Sequence, residues 1–388
     1  MKKIAVFGST GSIGSSLLSI INKDKQNFKI ELLTANKDYK KLIKQAKSFN
    51  VKNIIITNID SFLIATKLLK KTKIKVFKNF DCLNRIFDKN KKIDYTMCAI
   101  SGFQGLKPTL DIIKFTKIIA IANKESIICG WNLIKNNLKK YKTKFIPVDS
   151  EHFSIWSLLN DNKKNNFEKI YITASGGPFR KFPLKKFKDI NIKDALNHPS
   201  WSMGKKISID SATMMNKVFE IIEAKKIFGL KYNQLEILIH PKSYLHAIIK
   251  FNNGLTKLLV HDTDMKIPIF NSIYLNNEKK IVSKKIDIKI LNNLDLKKVD
   301  IIRYPVIRII KKMSENDTLF ETIIVSANDK LVSLFLDNKI RYTDISKILL
   351  KICNAAEFNK FKSIKPNNID QINDLANYVS LKIDSMSV

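Results

Sequence analysis

Apolar residues follow two periods along this chain. Short unbroken apolar runs alternate with longer stretches where apolar residues recur every three or four positions. Ile4-Ala5-Val6-Phe7 predicts a buried strand, and Gly8-Ser9-Thr10-Gly11-Ser12-Ile13-Gly14 follows it into a helical pattern that lasts through Ile21. Lys29 to Thr34, Asn53 to Thr57, Asp94 to Ala99, Lys117 to Ala122 and Lys144 to Val148 predict further strands, with helical patterns in most of the gaps. That alternation predicts a parallel sheet with helices on both faces. In such sheets ligands bind at the carboxyl ends of strands.

The pattern changes after Glu151. Lys169 to Thr173 predicts a strand, then Ala174 to Phe179 and Asn197 to Gly204 predict loops. Leu235 to His240, Leu245 to Phe251 and Leu255 to Val260 predict strands, the last two joined by a hairpin turn at Asn252-Asn253-Gly254. This half therefore predicts a mixed or antiparallel sheet. From about Asp300 onward the pattern is helical, with no dense polar cluster, and predicts a bracing helical domain.

Composition adds little to the functional picture. The chain has 388 residues, 45% of them hydrophobic, which calls for more than one core. The net charge of +34 comes from 69 Lys+Arg against 35 Asp+Glu. Its lysines are spread along the chain, and Lys, Ile and Asn share AT-rich codons, so the charge reads as codon bias and not as a nucleic-acid surface. Cys82, Cys98, Cys129 and Cys353 lie far apart and fit a reducing compartment. No apolar run is long enough to span a membrane. The expectation is a cytoplasmic protein with no membrane and no specific nucleic-acid partner.

Four stretches carry candidate chemistry. The glycine loop between the first strand and helix would cradle a phosphate on free backbone N–H groups. Asn123-Lys124-Glu125-Ser126 falls at a second strand end. At a third, Pro147 to His152 sets Asp149 and Glu151 two residues apart, on one side if the strand continues, where a divalent cation with oxygen ligands would relieve their repulsion. In the fourth, Asp210 or Ser211 would cap a helix, with Thr213, Asn216, Lys217 and Glu220 on one face and Met214, Val218, Ile221 and Ile222 on the other. Trp201, among Ser, Pro and Gly, suits either a mobile lid or a local core plug. His240 and His246 read as sheet histidines, and His261 has no assigned role.

Taken together these stretches resemble the 1-deoxy-D-xylulose 5-phosphate reductoisomerase family. The resemblance runs from Lys3 to about Lys347, most specifically in Gly8 to Gly14, Ala122 to Ser126, Pro147 to His152, Ser175 to Phe179, His198 to Gly204 and Asp210 to Lys217. It implies an α/β fold: a Rossmann-like NADPH domain over 1–149 and a central α+β catalytic and dimerisation domain with a mostly antiparallel sheet over 150–275. A linker over 276–300 and a C-terminal helical domain over 301–388 would follow. It also implies that Thr10, Gly11, Ser12 and Ile13 bind the NADPH pyrophosphate region. Asn36, Lys37 and Asp38 lie near the adenosine ribose, and Asn123, Glu125 and Gly204 also touch the cofactor. Asp149, Glu151 and Glu220 hold Mg²⁺ or Mn²⁺. Ser150 and Lys124 contact substrate oxygens, and Ser175, Ser211, Asn216 and Lys217 grip its phosphate. His198 sits on a closing loop, and the protein is a homodimer. Lys124, Asp149, Glu151, His198 and Glu220 are thus the implied catalytic set.

The chain departs from the family at Asn36-Lys37-Asp38, where Asn36 replaces a usual Gly and can adopt a left-handed backbone. It also departs at Val218, over His261 to Lys266, and at Asn328-Asp329. Two other function classes were weighed. An aspartate-semialdehyde dehydrogenase needs a nucleophilic Cys in a loop beside a His, which the chain lacks. A basic nucleic-acid binder needs clustered cations with exposed aromatics, which it also lacks.

Overall fold

The computed structural model describes residues 1–159, 167–201, 203–275 and 279–386. Ser202, inside the expected closing loop, and 276–278, at the start of the expected linker, lie outside the described residues. The chain divides into two compact units. The first comprises Met1–Ser126, Leu133–Asp149 and Met265–Ile281; the second comprises Ile127–Asn132, Ser150–Asp264 and Val282–Val388.

The first unit is built on a parallel sheet of β1 (Lys2–Phe7), β2 (Phe28–Ala35), β3 (Asn53–Ile56), β4 (Lys75–Phe77), β5 (Ile93–Cys98), β6 (Thr116–Ile121) and β7 (Lys144–Pro147), in the order β4-β3-β2-β1-β5-β6-β7. Parallel strands are covered on both faces, which is why they read as unbroken apolar runs and not as alternation. Ile4, Ala5, Val6 and Phe7 have no exposed surface. Burial of each large side chain contributes about 1.5–3 kcal/mol. The chain runs outward from β1 to β4, then returns to place β5 on β1's other side, so the strand order reverses between β1 and β5. The segment β4 was missed in the sequence because it is short and partly exposed. The helix Lys266–Tyr274 also belongs to this unit: Ile269, Ile273 and Tyr274 join its core, and Tyr274 donates a hydrogen bond to Asp24 Oδ2 at 2.9 Å.

The second unit holds a mixed, mostly antiparallel sheet of β8 (Phe167–Ala174), β9 (Leu235–Ile239), β10 (Leu245–Phe251), β11 (Thr256–Val260) and β12 (Lys297–Lys298), in the order β11-β10-β8-β9-β12. Only β8 and β9 pair in parallel. Gly254, at φ +84, closes the β10–β11 hairpin as its turn chemistry predicts. The helices Phe320–Leu336, Tyr342–Asn354 and Ile369–Met386 form the C-terminal helical region.

The helical stripe differs from its expected form. Asp210 and Ser211 do not cap one helix; they lie inside Lys205–Thr213. Met214 then takes a left-handed conformation, φ +66, and a second helix runs from Met215 to Phe228. The broken period escapes a helical-face reading because the residues on either side are all compatible with helix. Thr213 leaves the ligand-facing stripe: its hydroxyl donates to Ile209 O and accepts from the Met215 N–H. The apolar face holds, with Met214, Val218, Ile221 and Ile222 all buried.

Candidate active site

Backbone geometry makes the first candidate site. Gly8 sits at φ +75 at the end of β1, and a Cβ there would meet Ala99 O, just past β5, at 2.5 Å. Only glycine lets the loop pass so close at the point where the strand order reverses. The helix Ser12–Asn22 then starts on Gly11 with no side-chain cap. Its first N–H groups, from Ser12 onward, thus present a dipole end suited to a phosphate, while the Gly11 N–H just before them donates to Gly8 O at 3.1 Å. The next helix, Tyr39–Ser48, is fastened to this loop. Lys41 Nζ donates to Thr10 O at 2.7 Å, and Gln45 Nε2 donates to Ser9 O at 2.9 Å.

Asn36, Lys37 and Asp38 follow β2 and are exposed. Asp38 caps the helix Tyr39–Ser48, accepting the Lys41 N–H at 3.0 Å. Asn36 is not left-handed, contrary to expectation. Its amide donates to Thr57 Oγ1 at 2.8 Å. At the end of β6, Asn123 caps the helix Lys124–Tyr141 by accepting the Ser126 N–H at 2.5 Å, and it donates to Ile100 O and Gly102 O. Asn123 therefore shapes the loop after β5 with its whole amide. Glu125 is buried in the first turn of that helix. Lys124 Nζ pairs with Asp149 Oδ2 at the end of β7.

Side chains from distant segments make the second site. The strand expected to carry both carboxylates ends at Pro147, and Glu151 instead lies in the first turn of the helix Ser150–Leu159. Strand alternation is thus not what aims the acidic groups. Glu151 and Glu220 each present a carboxylate oxygen within 4.8 Å of the other. Lys217 Nζ bridges them, 2.8 Å from Glu151 Oε1 and 2.5 Å from Glu220 Oε2. Ser150 donates to Glu151 Oε2 at 2.6 Å, and Asn216 donates to Glu220 Oε1 at 2.5 Å. Helical spacing explains the local part, since Asn216 and Lys217 precede Glu220 by four and three residues. Burial alone would lower the Lys217 pKa, but the two carboxylates outweigh it and raise it. Two anionic groups against one cation leave a net negative charge, and the donors are hard oxygens, so the set fits a divalent cation such as Mg²⁺ or Mn²⁺.

His198 stands beside this cluster. Its Nδ1 accepts the N–H groups of Ser200 and Trp201 at 3.1 and 3.0 Å, which puts the ring proton on Nε2, 3.1 Å from Ser175 Oγ. Burial first, and then the Lys217 charge, lowers its pKa from 6.5 to about 4, so His198 is neutral at pH 7. Gly177, at φ +63, brings the Ser175 loop onto the helix that carries Ser211; a Cβ there would meet Ser211 O at 2.8 Å. Gly204 starts that helix. Trp201 packs edge-on against His246, with ring centroids 6.3 Å apart.

The comparisons agree with one another along the chain. Residues 4–130 match the 1-deoxy-D-xylulose 5-phosphate reductoisomerase family, 145–228 its C-terminal domain, and 261–379 the DXP reductoisomerase C-terminal domain. A 1-deoxy-D-xylulose 5-phosphate reductoisomerase of Pelagibacter ubique is 77% identical over 388 residues, the full length of both chains. The chain belongs to the 1-deoxy-D-xylulose 5-phosphate reductoisomerase family. A reductoisomerase of Sulfurihydrogenibium is 37% identical over 99% of this chain and 100% of its own. Among solved structures, the Zymomonas mobilis reductoisomerase in complex with NADPH is 30% identical with a TM-score of 0.87, covering 100% of this chain and 99% of that one. A reductoisomerase in complex with NADPH, fosmidomycin and magnesium is 28% identical with a TM-score of 0.91, covering 100% and 98%.

For a reductoisomerase chain, the structure adds neighbours that the sequence did not signal. His246, on β10, has its Nδ1 4.0 Å from Glu151 Oε1 and its ring stacked on His261, with centroids 3.7 Å apart. No spacing could announce this, because β10 lies far from Glu151 in sequence. His261, one of the departures, is thus a packing partner of a residue beside the acidic cluster. Val218 is another departure, and it packs into the buried face. Among the described residues no helix is long and apolar enough to cross a membrane.

Proposed function

We propose that this chain rearranges and reduces 1-deoxy-D-xylulose 5-phosphate to 2-C-methyl-D-erythritol 4-phosphate, the reductive step of the non-mevalonate isoprenoid pathway, with NADPH and Mg²⁺ or Mn²⁺. One observation carries the reading: the buried Glu151–Lys217–Glu220 cluster in a chain of this family. Glu151 and Glu220 hold the cation, and Asp149, joined to Ser150 by the peptide bond, is their third partner. When bound, the cation would supply Lewis acidity at the substrate's oxygens, and NADPH would supply the hydride. Lys124 and Ser150 contact substrate oxygens and orient the carbon skeleton for bond cleavage and re-formation.

Lys217 serves two ligands. An ammonium has three donors, and two of them go to Glu151 and Glu220. The third, with Asn216, Ser175 and Ser211, binds the substrate phosphate. This remote group supplies binding energy for positioning. Neutral His198 donates from Nε2 toward the same grip, and its loop, with Trp201, closes over the substrate and excludes water. Thr10, Gly11, Ser12 and Ile13 cradle the cofactor's pyrophosphate. Asn36, Lys37 and Asp38 lie at its ribose, and Asn123, Glu125 and Gly204 also touch the cofactor.

The functional division runs as 1–149 for cofactor, 150–275 for catalysis and dimerisation, 276–300 as linker and 301–388 as brace. The protein acts as a cytoplasmic homodimer through its mixed sheet. The test is NADPH consumption with 1-deoxy-D-xylulose 5-phosphate and either metal, with the product identified by mass. Consumption that depends on both sugar phosphate and metal is expected; none under any of these conditions would overturn the reading.

A further inference from the structure

The helix Lys205–Thr213 is a separate rigid piece. It begins on Gly204 without a side-chain cap, and the left-handed Met214 cuts it off from Met215–Phe228, which carries Asn216, Lys217 and Glu220. Helical continuity therefore does not fix where Ser211 stands relative to Lys217. Something else must.

The anchor comes from the C-terminal helical region. Asp210, one residue before Ser211, is 2% exposed. Asn328 Nδ2 donates to its Oδ1 at 2.7 Å, and Lys206 Nζ lies 3.1 Å from its Oδ2. The same ammonium lies 2.9 Å from Asp329 Oδ1 and 5.3 Å from the Phe219 ring centroid. Tyr342 donates to Ala212 O at 2.6 Å. Asn328 and Asp329 sit on the helix Phe320–Leu336. A buried carboxylate is costly unless its charge is paired and its oxygens are hydrogen-bonded, and here each Asp210 oxygen has a partner. With both oxygens engaged, the buried Asp210 carboxylate ties the helix Lys205–Thr213 to the helix Phe320–Leu336.

We propose that Lys206 is a positioning residue for the phosphate end of the substrate. With Asp210, Asn328 and Asp329 it sets the placement of the helix Lys205–Thr213, and through it that of Ser211. Lys206 touches no reacting group. The C-terminal helices thereby determine substrate affinity. The proposal rests on the proposed function insofar as it takes a phosphate to be the group bound by Ser211.

The test compares Lys206→Met, which removes both ion pairs and keeps an apolar stem against Phe219, with Lys206→Arg, which keeps the charge. Lys206→Met should raise KM for 1-deoxy-D-xylulose 5-phosphate about tenfold while kcat stays within about threefold. The NADPH Kd, read by fluorescence titration, should be unchanged, and Lys206→Arg should recover most of the KM. Calorimetric binding of inorganic phosphate should weaken in parallel; this readout stands even if the wild-type protein fails to consume NADPH, a result that would strike the proposed function alone. Asp329→Asn, at a partly exposed position, should show a smaller KM rise with little change in Tm, and it carries the test if Lys206→Met does not fold. Unchanged KM and phosphate affinity in a folded Lys206→Met or Asp329→Asn protein would overturn the proposal. So would an NADPH Kd that rises together with KM.

Discussion

The glycine loop and the acidic cluster are sites of opposite construction. The loop is one contiguous stretch whose chemistry lies in its backbone: Gly8 permits the approach to Ala99, and Gly11 leaves the helix end uncapped. The cluster is made of side chains from the helices Ser150–Leu159 and Met215–Phe228, and its geometry depends on one ammonium shared by two carboxylates. A backbone site tolerates any side-chain change that keeps its turn. A side-chain site built around a buried charge pair does not, because removal of one partner strands the other. Mutations should therefore separate the two regions by size of effect.

The largest effect is expected at Glu220. Glu220→Gln keeps the shape and the bond from Asn216 but removes a charge, and turnover should fall at least about a hundredfold. Near-normal turnover at limiting Mn²⁺ would take Glu220 out of the site. Lys217→Ala comes next. It leaves Glu151 and Glu220 unneutralised and removes a phosphate donor, so KM for the sugar phosphate should rise well over about tenfold while NADPH affinity holds. Unchanged KM and kcat together would place Lys217 outside substrate binding.

In the first unit the expected change is smaller. If Lys37, exposed after β2, meets a ribose 2′-phosphate as proposed, Lys37→Ala should narrow the preference for NADPH over NADH by about tenfold. The contrast breaks if the unmodified protein uses NADH and NADPH with equal efficiency. Acid stability should move least. His198 has a folded-state pKa of about 4, below its ordinary 6.5. Protonation then favours the unfolded chain, so this contribution to stability is present above about pH 6.5 and is lost as pH falls toward 4. His198→Gln should flatten the decline in Tm across that window. A decline as steep as in the wild type would assign the acid sensitivity to other groups.

The same contrast explains what could be read from the sequence. Parallel strands buried on both faces leave unbroken apolar runs, and β1 to β3 and β5 to β7 were visible for that reason. The glycine loop was visible because it is one contiguous stretch between β1 and the helix Ser12–Asn22. Asp149, Glu151, Lys217 and Glu220 could be singled out by residue type, but strand alternation does not relate the first pair, because β7 ends at Pro147. The break at Met214 was hidden, since a single left-handed Met leaves no mark in a helical period. The contacts His246–Glu151, Lys206–Asp329 and Asn328–Asp210 were also hidden: each joins segments far apart in the chain, and no local pattern records such a pairing.

The central claim is that Glu151 and Glu220 form one cation site together with Asp149, with Lys217 as their fixed counter-charge. Calorimetric titration with Mn²⁺ tests it most directly, because it reads binding without turnover. The account predicts one Mn²⁺ per chain, with affinity lowered at least about tenfold in both Glu151→Gln and Glu220→Gln. Binding of Mn²⁺ with wild-type affinity in both variants would contradict it.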